Sequence, residues 1–328
     1  MKPYGILCII ISVILLLAPL ASLKSESSAP GDSSEPISED GQTGEKQASD
    51  PEDGDTISVF MTAGKKTEKM EMHDYIIGAV SAEMPASYDE EALKAQALAA
   101  ITFAEYSRKH GTNENLNGAD ISDDSSMHQG YMSVDDMKEK WGDAYDTYYE
   151  KIADAVDEVL DKVITYNGEP IMAAYHAIST GQTESAENIW GQDIPYLKSV
   201  KSEGDPYSAR FASETTFSTE ELKNAVNLKF SGDEEDMIQI NSVSDAGTVL
   251  SVTVCGKEMT GMELRNLLAL KSPSFTAEYS DGVFTFHVKG YGHGVGMSQY
   301  GADYYAKQGM TYDEIIQHYY PGTKITDR

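Results

Sequence analysis

The chain has 328 residues, of which 54 are Asp or Glu and 25 are Lys or Arg, so its formal net charge at pH 7 is −29. This length is enough for one large domain or two small ones, each with a sizeable core. So large an acidic excess argues against binding nucleic acid or anionic lipid through a basic face.

The N-terminal region begins with an apolar segment. As a helix, residues 5–23 would be about 28 Å long, enough to cross the hydrocarbon core of a membrane. Lys2 precedes the segment and no basic residue falls within it, which favours a cytoplasmic N-terminus. A cleaved signal peptide is the alternative, although cutting after Ala21 would place Pro19 at the −3 position. We therefore expect residues 1–24 to be a cytoplasmic stub and transmembrane anchor, making this a single-pass membrane protein.

The next segment differs sharply in composition. Residues 25–55 are mainly Ser, Glu, Asp, Gly and Pro, with almost nothing apolar to bury, which predicts a disordered acidic linker. Residues 56–328 are then expected to form one extracytoplasmic domain. Outside the anchor the chain contains a single cysteine, Cys255, so no intramolecular disulfide is expected to stabilise this domain.

The first part of this domain shows strand and helix patterns in turn. Residues 57–61 predict a strand, and apolar residues at helical spacing predict a helix over 72–84. A Ser-x-x-Glu capping sequence at 87–90 predicts the start of a second helix. A long helix is predicted between about 135 and 162.

A hairpin follows, because the apolar runs 163–166 and 171–175 are separated by Asn167-Gly168, a strong signal for a tight turn. The later predicted elements are strands at 237–243, 249–254 and 283–288, a helix at 261–270 and a last helix from about Ser298. Helices and antiparallel hairpins are thus mixed in one domain, which predicts the α+β class.

A glycine-rich segment near the C-terminus joins the last predicted strand to the last helix. Glycine recurs at every second position from Gly290 to Gly296, with His293 in the middle. Such a cluster marks unusual backbone dihedrals or close approach to a ligand. It has neither the G-x-G-x-x-G spacing of a dinucleotide site nor the Gly-Lys-Ser/Thr of a P-loop. These residues alone leave a ligand loop and a tight structural turn equally open.

Residues 292–302, GHGVGMSQYGA, are similar to the C-terminal signature of the stage II sporulation protein D family. Three further stretches resemble other family motifs in the expected order, at residues 81–97, 179–197 and 263–265. The resemblance extends over roughly residues 55–328. Four ordered motifs are much stronger evidence than any one of them.

The resemblance implies a function. Family members are membrane-anchored lytic transglycosylases that cleave peptidoglycan between N-acetylmuramic acid and N-acetylglucosamine and leave a 1,6-anhydro product. It also implies a role in engulfment during sporulation, in the mother-cell membrane facing the forespore. The implied partners are stem-peptide-free glycan strands, a peptidoglycan amidase of the stage II sporulation protein P type and a membrane scaffold.

Two other functions stay open. The family includes amidase enhancers, which suggests a non-catalytic glycan-binding module that activates an amidase. A metal-dependent wall hydrolase using His293, His176 and His128 ranks last, because these histidines are scattered and form no H-E-x-x-H pattern.

Glu83 is the candidate catalytic residue. It lies at the end of the first predicted helix, where the carbonyl groups disfavour negative charge, and Met84 and Pro85 beside it are apolar. Both effects favour the protonated carboxyl that glycosidic cleavage needs. On the residues alone, a solvent-facing glutamate at a helix end is the favoured interpretation; the resemblance assigns Glu83 the role of catalytic acid, acting afterwards as base on the muramic 6-hydroxyl.

The candidate substrate-binding residues are polar side chains from the regions that resemble the family. They are His176, Ser179, Thr180, Gln182, Tyr291, His293, Gln299 and Tyr300. A loop rich in hydroxyl and amide groups suits saccharide recognition, yet such loops are also common as plain turns. His293 could hydrogen-bond a sugar or acetamido group, or could simply fix the glycine segment.

No metal or other cofactor is expected. Some family members carry a cysteine and a histidine in the stretch corresponding to residues 121–131, but here only His128 remains, with Asp123 and Asp124 nearby. A structural zinc site needs four ligands and favours sulfur and imidazole. A second departure from the family is Ile101, which stands where arginine is common.

Overall fold

Helices and strands alternate throughout the chain. The computed structural model of the protein describes residues 56–111 and 116–328. The helices in these ranges are α1 Met72–Glu83, α2 Glu90–His110, α3 Val134–Trp141, α4 Tyr145–Asp157, α5 Ala186–Trp190, α6 Thr219–Val226, α7 Gly261–Leu268, α8 Gln299–Lys307 and α9 Tyr312–Tyr319.

The strands form several small sheets, most of them antiparallel. They are β1 Thr56–Met61, β2 Lys66–Glu71, β3 Ile121–Ser122, β4 Lys162–Tyr166, β5 Glu169–Pro170, β6 Tyr175–His176, β7 Ala212–Ser218, β8 Ile238–Val243, β9 Val249–Val254, β10 Lys257–Met259, β11 Phe275–Ser280, β12 Val283–Lys289, β13 Met297–Ser298 and β14 Lys324–Asp327. The mixture of helices and antiparallel hairpins fits the α+β class.

The expected transmembrane helix is not supported. Within the described residues no helix is both long and apolar enough to cross a membrane. The longest of them, α2, has 21 residues but carries charged side chains at both ends. The predicted anchor, residues 1–24, and the predicted linker, residues 25–55, lie outside the described residues. The fold-class prediction of a single transmembrane helix and the localisation as a single-pass membrane protein are therefore corrected.

Helix α2 forms the centre of the larger hydrophobic core. It packs against α1, α4, α8, α9 and β4. Alanine, the best helix former, recurs along its buried face, where small side chains let neighbouring helices approach closely. Ile101, at the position where the family commonly has arginine, is fully buried in this core. The capping sequence predicted at 87–90 is wrong by two residues, since Asp89 caps α2 by accepting the Glu91 N–H at 3.1 Å.

The single long helix predicted over 135–162 is two helices, α3 and α4. The break falls at Gly142, whose φ of 52° ends α3. Ser133 and Asp136 form a reciprocal capping box that starts α3, a signal within the sequence that the periodicity obscured.

The predicted Asn167-Gly168 turn is present, with both residues at positive φ, and it joins β4 to β5. The predicted second strand, 171–175, is wrong, because β4 pairs with β5 at Glu169–Pro170 and residues 171–174 are not in a strand. The chain then leaves the hairpin and forms β6, which pairs in parallel with β13. The free edge of β4 is covered by β14.

A second hydrophobic core is built from β7 to β12 with α6 and α7. The first strand of this group, β7, pairs with the last, β12, so that Ala212 lies opposite Lys289. The chain therefore enters and leaves this lobe, residues 212–289, at adjacent points. The lobe is an insertion into the main body, with Phe284 and Phe286 fully buried at its centre.

The glycine-rich segment 290–296 runs along residues 174–184. Tyr291 and Ile178 exchange two backbone hydrogen bonds, and the Glu184 N–H donates to the Gly294 carbonyl at 2.7 Å. A side chain at Gly292 would come within 2.8 Å of the His176 Cβ, and one at Gly296 would collide with the Ala174 carbonyl. The alternating glycines are thus required by close backbone packing.

Candidate active site

Glu83 is the last residue of α1, and its carboxyl group is partly exposed. Its Oε1 accepts the backbone N–H of Gly130 at 2.7 Å, and the side chain of Gln299 also hydrogen-bonds the carboxyl group. Burial raises the pKa of Glu83, while these two donors lower it without cancelling the shift. The carboxyl therefore holds its proton more tightly than an exposed glutamate does.

Gln299 reaches Glu83 from the start of α8. Ser298 caps this helix by accepting the Gly301 N–H, which places Gln299 in the first turn. The Gln299 amide nitrogen also donates to Oε1 of Gln96, a fully buried residue of α2, at 3.3 Å. The orientation of Gln299 is thus determined by two helices that meet behind the carboxyl group.

Two tyrosines complete the surroundings of Glu83. Burial raises the pKa of Tyr75 and of Tyr175 well above the usual range, and the nearby Glu83 charge raises both further. Both phenols therefore stay protonated. Tyr175 donates to Oε1 of Gln129 at 3.3 Å, whereas the Tyr75 hydroxyl and Gln96 Nε2 have no hydrogen-bond partner among the described residues.

The stretch 121–131 contributes to the surroundings of Glu83. It supplies Gly130 to Glu83, and Gln129 is anchored to the Ala100 carbonyl at 3.2 Å. Within the part of the chain that the structure describes, no three His, Cys, Asp or Glu side chains could share a metal ion. His128 instead contacts the Ser122 hydroxyl at 3.0 Å. These donors do not fit a zinc site, and the absence of a metal remains a prediction.

Most of the other candidate residues lie around a small cleft, with a cavity volume of about 10 Å³, between the glycine segment and the inserted lobe. Its lining includes Ser179, Thr180, Gln182 and His293. Their polar groups are largely engaged within the protein. Ser179 donates to the buried Asp205, Thr180 to the Ala246 carbonyl at 2.6 Å, and Gln182 to Ser199 at 2.7 Å.

His176 and His293 lie side by side near this cleft, with ring centroids 5.8 Å apart. His176 is buried, and its Nδ1 hydrogen-bonds the Val295 carbonyl at 3.1 Å. Burial lowers the pKa of His176 to about 4. Burial, together with the charges of His176 and Arg265, lowers that of His293 to about 3. Both imidazoles are neutral near pH 7, and His293 Nδ1 accepts the Val295 N–H at 3.1 Å.

The candidate residues thus fall into two groups separated by the β6–β13 pair. Neighbouring residues of a strand point to opposite faces, so Tyr175 faces the Glu83 side and His176 faces His293. Gln299 lies beside Glu83. Tyr300, the next residue, packs edge-to-face with Tyr88, with the two ring centroids 6.3 Å apart.

Several residues of the Glu83 group were not found from the sequence. Gln96 lies within a stretch that resembles the family motif, yet nothing in its local pattern distinguishes it from a core residue. Gly130 and Gln129 were examined only as neighbours of a possible metal ligand. Tyr175 ends a predicted strand, and its role depends on the pairing of that strand with β13.

The chain is similar in sequence to known proteins of one family. A family model described as "Stage II sporulation protein" matches residues 61–166, which include Glu83 and Gly130. Stage II sporulation protein D of Bacillus subtilis (strain 168) is 36% identical over 340 residues, covering 100% of this chain and 96% of the relative. The protein of the same name from Bacillus amyloliquefaciens is 37% identical over 272 residues, covering 83% of this chain and 79% of the relative.

A third relative carries a different name. The protein named "Amidase enhancer" from Bacillus subtilis (strain 168) is 30% identical over 302 residues, covering 76% of this chain and 40% of the relative. The chain belongs to the stage II sporulation protein D family, and its role lies in sporulation.

Proposed function

We propose that this protein is a lytic transglycosylase that cleaves peptidoglycan glycan strands between N-acetylmuramic acid and N-acetylglucosamine during engulfment. The observation that carries the proposal is the Glu83 carboxyl, which is largely buried, raised in pKa and fixed by Gly130 and Gln299. Such a group can hold a proton until a glycosidic oxygen lies against it.

The reaction needs one carboxyl group. Protonated Glu83 donates its proton to the glycosidic oxygen as the bond to the muramic C1 breaks, so the N-acetylglucosamine side leaves as an alcohol. The resulting carboxylate, stabilised by the Gly130 N–H and the Gln299 amide, removes the proton of the muramic 6-hydroxyl. That oxygen attacks C1 and closes the 1,6-anhydro ring. Glu83 ends protonated, so the cycle closes without water.

Glu83→Gln tests this assignment in the full chain. Glutamine can still accept the Gly130 N–H but cannot transfer a proton, so cleavage of peptide-free strands should fall by about 10²- to 10⁴-fold. Mass spectrometry of the products gives the rate. Glu90→Gln is the matched control, because the Glu90 side chain is exposed and belongs to α2, where it pairs with the buried Lys94. Equal cleavage by the Glu83→Gln variant and the unaltered chain would exclude Glu83 as the acid.

A second candidate function is activation of a peptidoglycan amidase by a non-catalytic glycan-binding module. The similarity to the protein named "Amidase enhancer" supports it. In this case the chain would leave peptide-free strands intact and would accelerate an amidase of the stage II sporulation protein P type on intact peptidoglycan. Glu83→Gln would then retain that acceleration in full.

The two functions are compatible with one order of events. An amidase removes the stem peptides first, and the transglycosylase then cuts the bare strand. We propose an amidase of this type as the partner, since the relative's name links the family to such an enzyme.

A further inference from the structure

Tyr291, in the glycine segment, lies between two cationic side chains. Lys271 Nζ is 4.7 Å from the centre of the tyrosine ring, and Arg210 Cζ is 5.6 Å from it. Lys271 and Arg210 are exposed, whereas Tyr291 is half-buried. The cations come from the inserted lobe and the segment that leads into it, so the fold brings them together from distant parts of the chain.

Neither cation is neutralised. Throughout residues 56–111 and 116–328, no carboxylate lies within 4 Å of the Lys271 or Arg210 side chain, although acidic residues outnumber basic ones 54 to 25. A third cation, Arg265, hydrogen-bonds the Lys271 carbonyl at 3.4 Å, and its charge reaches Tyr291 and His293. These three cations form a positive patch on a strongly acidic chain, and such a patch favours the binding of an anion.

The position of the cluster relative to Glu83 suits a long ligand. Gln299, which contacts Glu83, is eight positions after Tyr291, so the chain spans at most about 28 Å between them. A glycan strand of several sugars can reach both places. The two exposed cations over the tyrosine ring offer partners for a negative group.

We propose that Lys271 and Arg210, around Tyr291, bind the free lactyl carboxylate of a muramic residue in a peptide-free strand; this rests on the proposed function. In intact peptidoglycan that carboxyl is tied up as an amide with the stem peptide. Amidase hydrolysis consumes one water and leaves an amine on the peptide and a carboxylate on the sugar. The cluster therefore recognises the product of the preceding amidase reaction, and it explains how an acidic chain selects an anionic strand.

The test is a binding titration with the full chain carrying Glu83→Gln, so that strands are not cut. The probes are peptide-free strands, the same strands with each lactyl carboxyl converted to a neutral methylamide, and strands that keep their stem peptides. Lys271→Gln with Arg210→Gln should weaken binding of peptide-free strands about five- to tenfold, since exposed ion pairs are individually modest. Lys257→Gln with Lys324→Gln removes the same charge elsewhere on the surface and should have no effect.

The methylamide strands should bind the background protein as weakly as peptide-free strands bind the Lys271/Arg210 variant. Equal affinity for charged and neutralised strands would overturn the proposal. Equally strong, Lys271-dependent binding of peptide-bearing strands would assign the site to peptide carboxylates and overturn the lactyl assignment. Failure of the proposed function is distinguishable, because it would appear as binding by the unaltered chain without cleavage.

Discussion

In the proposed reaction Glu83 carries a proton before the glycosidic bond breaks and releases it during the reaction, and its neighbours act in opposite directions on its pKa. Burial favours the neutral carboxyl, whereas the Gly130 N–H and the Gln299 amide favour the carboxylate. The net effect is a raised pKa of Glu83, and two hydrogen-bond donors are already in place to stabilise its carboxylate form. This balance suits a group that serves as acid and then as base.

Gln299→Met removes one of these donors while keeping the side chain's approximate size. Loss of a hydrogen bond to a charged group, about 1.5–3 kcal/mol, should raise the pKa of Glu83 by about one to two units. The basic limb of the pH profile of kcat/KM, which reports loss of the proton from Glu83, should move upward by that amount. Gln182→Met, in the other cleft, is the control and should leave the limb in place. An unmoved limb in the Gln299→Met variant would show that Gln299 does not act on Glu83.

His176 makes the fold sensitive to acid. Its pKa is about 4 in the folded protein because of burial, against about 6.5 when unfolded. Above pH 6.5 both states are neutral and this residue adds no pH dependence. As the pH falls from 6.5 towards 4, only the unfolded state takes up the proton, so stability decreases by up to about 1.4 kcal/mol per pH unit.

Urea unfolding at pH 7 and pH 5 measures this effect. The loss of stability between the two pH values should be about 2 kcal/mol smaller for His176→Gln than for the unaltered chain. His110→Gln, at the exposed end of α2, should show the unaltered pH dependence. If His176→Gln lost stability as steeply as the unaltered chain, His176 would not be the acid-sensitive group.

For a single residue such as Glu83, the sequence indicates which chemical group could react more readily than it indicates which residues surround that group in the fold. Glu83 could be singled out because the stretch 81–97 resembles a family motif, and its position at a helix end beside apolar residues agrees with that role. The groups that determine its behaviour are distant in the chain: Gly130 is 47 residues away from Glu83, and the Gln96–Gln299 contact joins residues 203 apart. No local pattern encodes contacts of that kind.

Among the elements, the glycine segment shows how backbone geometry forms both sites. Its residues run along 174–184 on one side and lead into β13 and α8 on the other. The sequence alone did not distinguish between two interpretations of this segment, a ligand-binding loop and a tight structural turn. The packing shows why glycine is required there, and it also brings Tyr291 and His293 to the surface of the lobe.

Glycine is favoured at a position either because the backbone has positive φ or because a Cβ would collide with a neighbour. Gly296→Ala and Gly168→Ala distinguish these two reasons. Both residues have positive φ, 73° and 83°, so alanine costs about 1 kcal/mol at either position. An added Cβ at Gly168 meets open space, whereas at Gly296 it collides with the Ala174 carbonyl. We expect Gly296→Ala to reduce the free energy of unfolding by at least about 3 kcal/mol, measured by urea denaturation. Similar losses for both variants would show that the close packing at Gly296 is not required.

The secondary structure was predictable where the signal is local. The Asn167-Gly168 turn, α1, β1, β8, β9 and α7 follow from periodicity and turn residues. The pairing of β6 with β13 and of β4 with β14 could not be predicted from such local signals, because each pair joins residues more than a hundred positions apart. The break between α3 and α4 was missed because the apolar spacing continues through Gly142.

For the whole molecule, the main finding is that two hydrophobic cores are built from one chain. The lobe at residues 212–289 has its own core and joins the body at the paired ends of β7 and β12. The sequence predicted one domain, since no linker or change of composition marks either end of the lobe. The lobe supplies the Lys271 side of the proposed carboxylate site, while the main body supplies Glu83. Under the two proposals, recognition of the carboxylate and cleavage of the glycosidic bond are carried out by different parts of the fold.

The central claim is that Glu83 closes a ring within the substrate and does not activate water. Digestion of peptide-free strands by the full chain in ¹⁸O-labelled water tests it most directly, with the products weighed by mass spectrometry. The account predicts products lighter than hydrolysis products by one water and free of ¹⁸O. Products carrying one ¹⁸O at the new reducing end would contradict it, because they would show that water attacks the muramic C1.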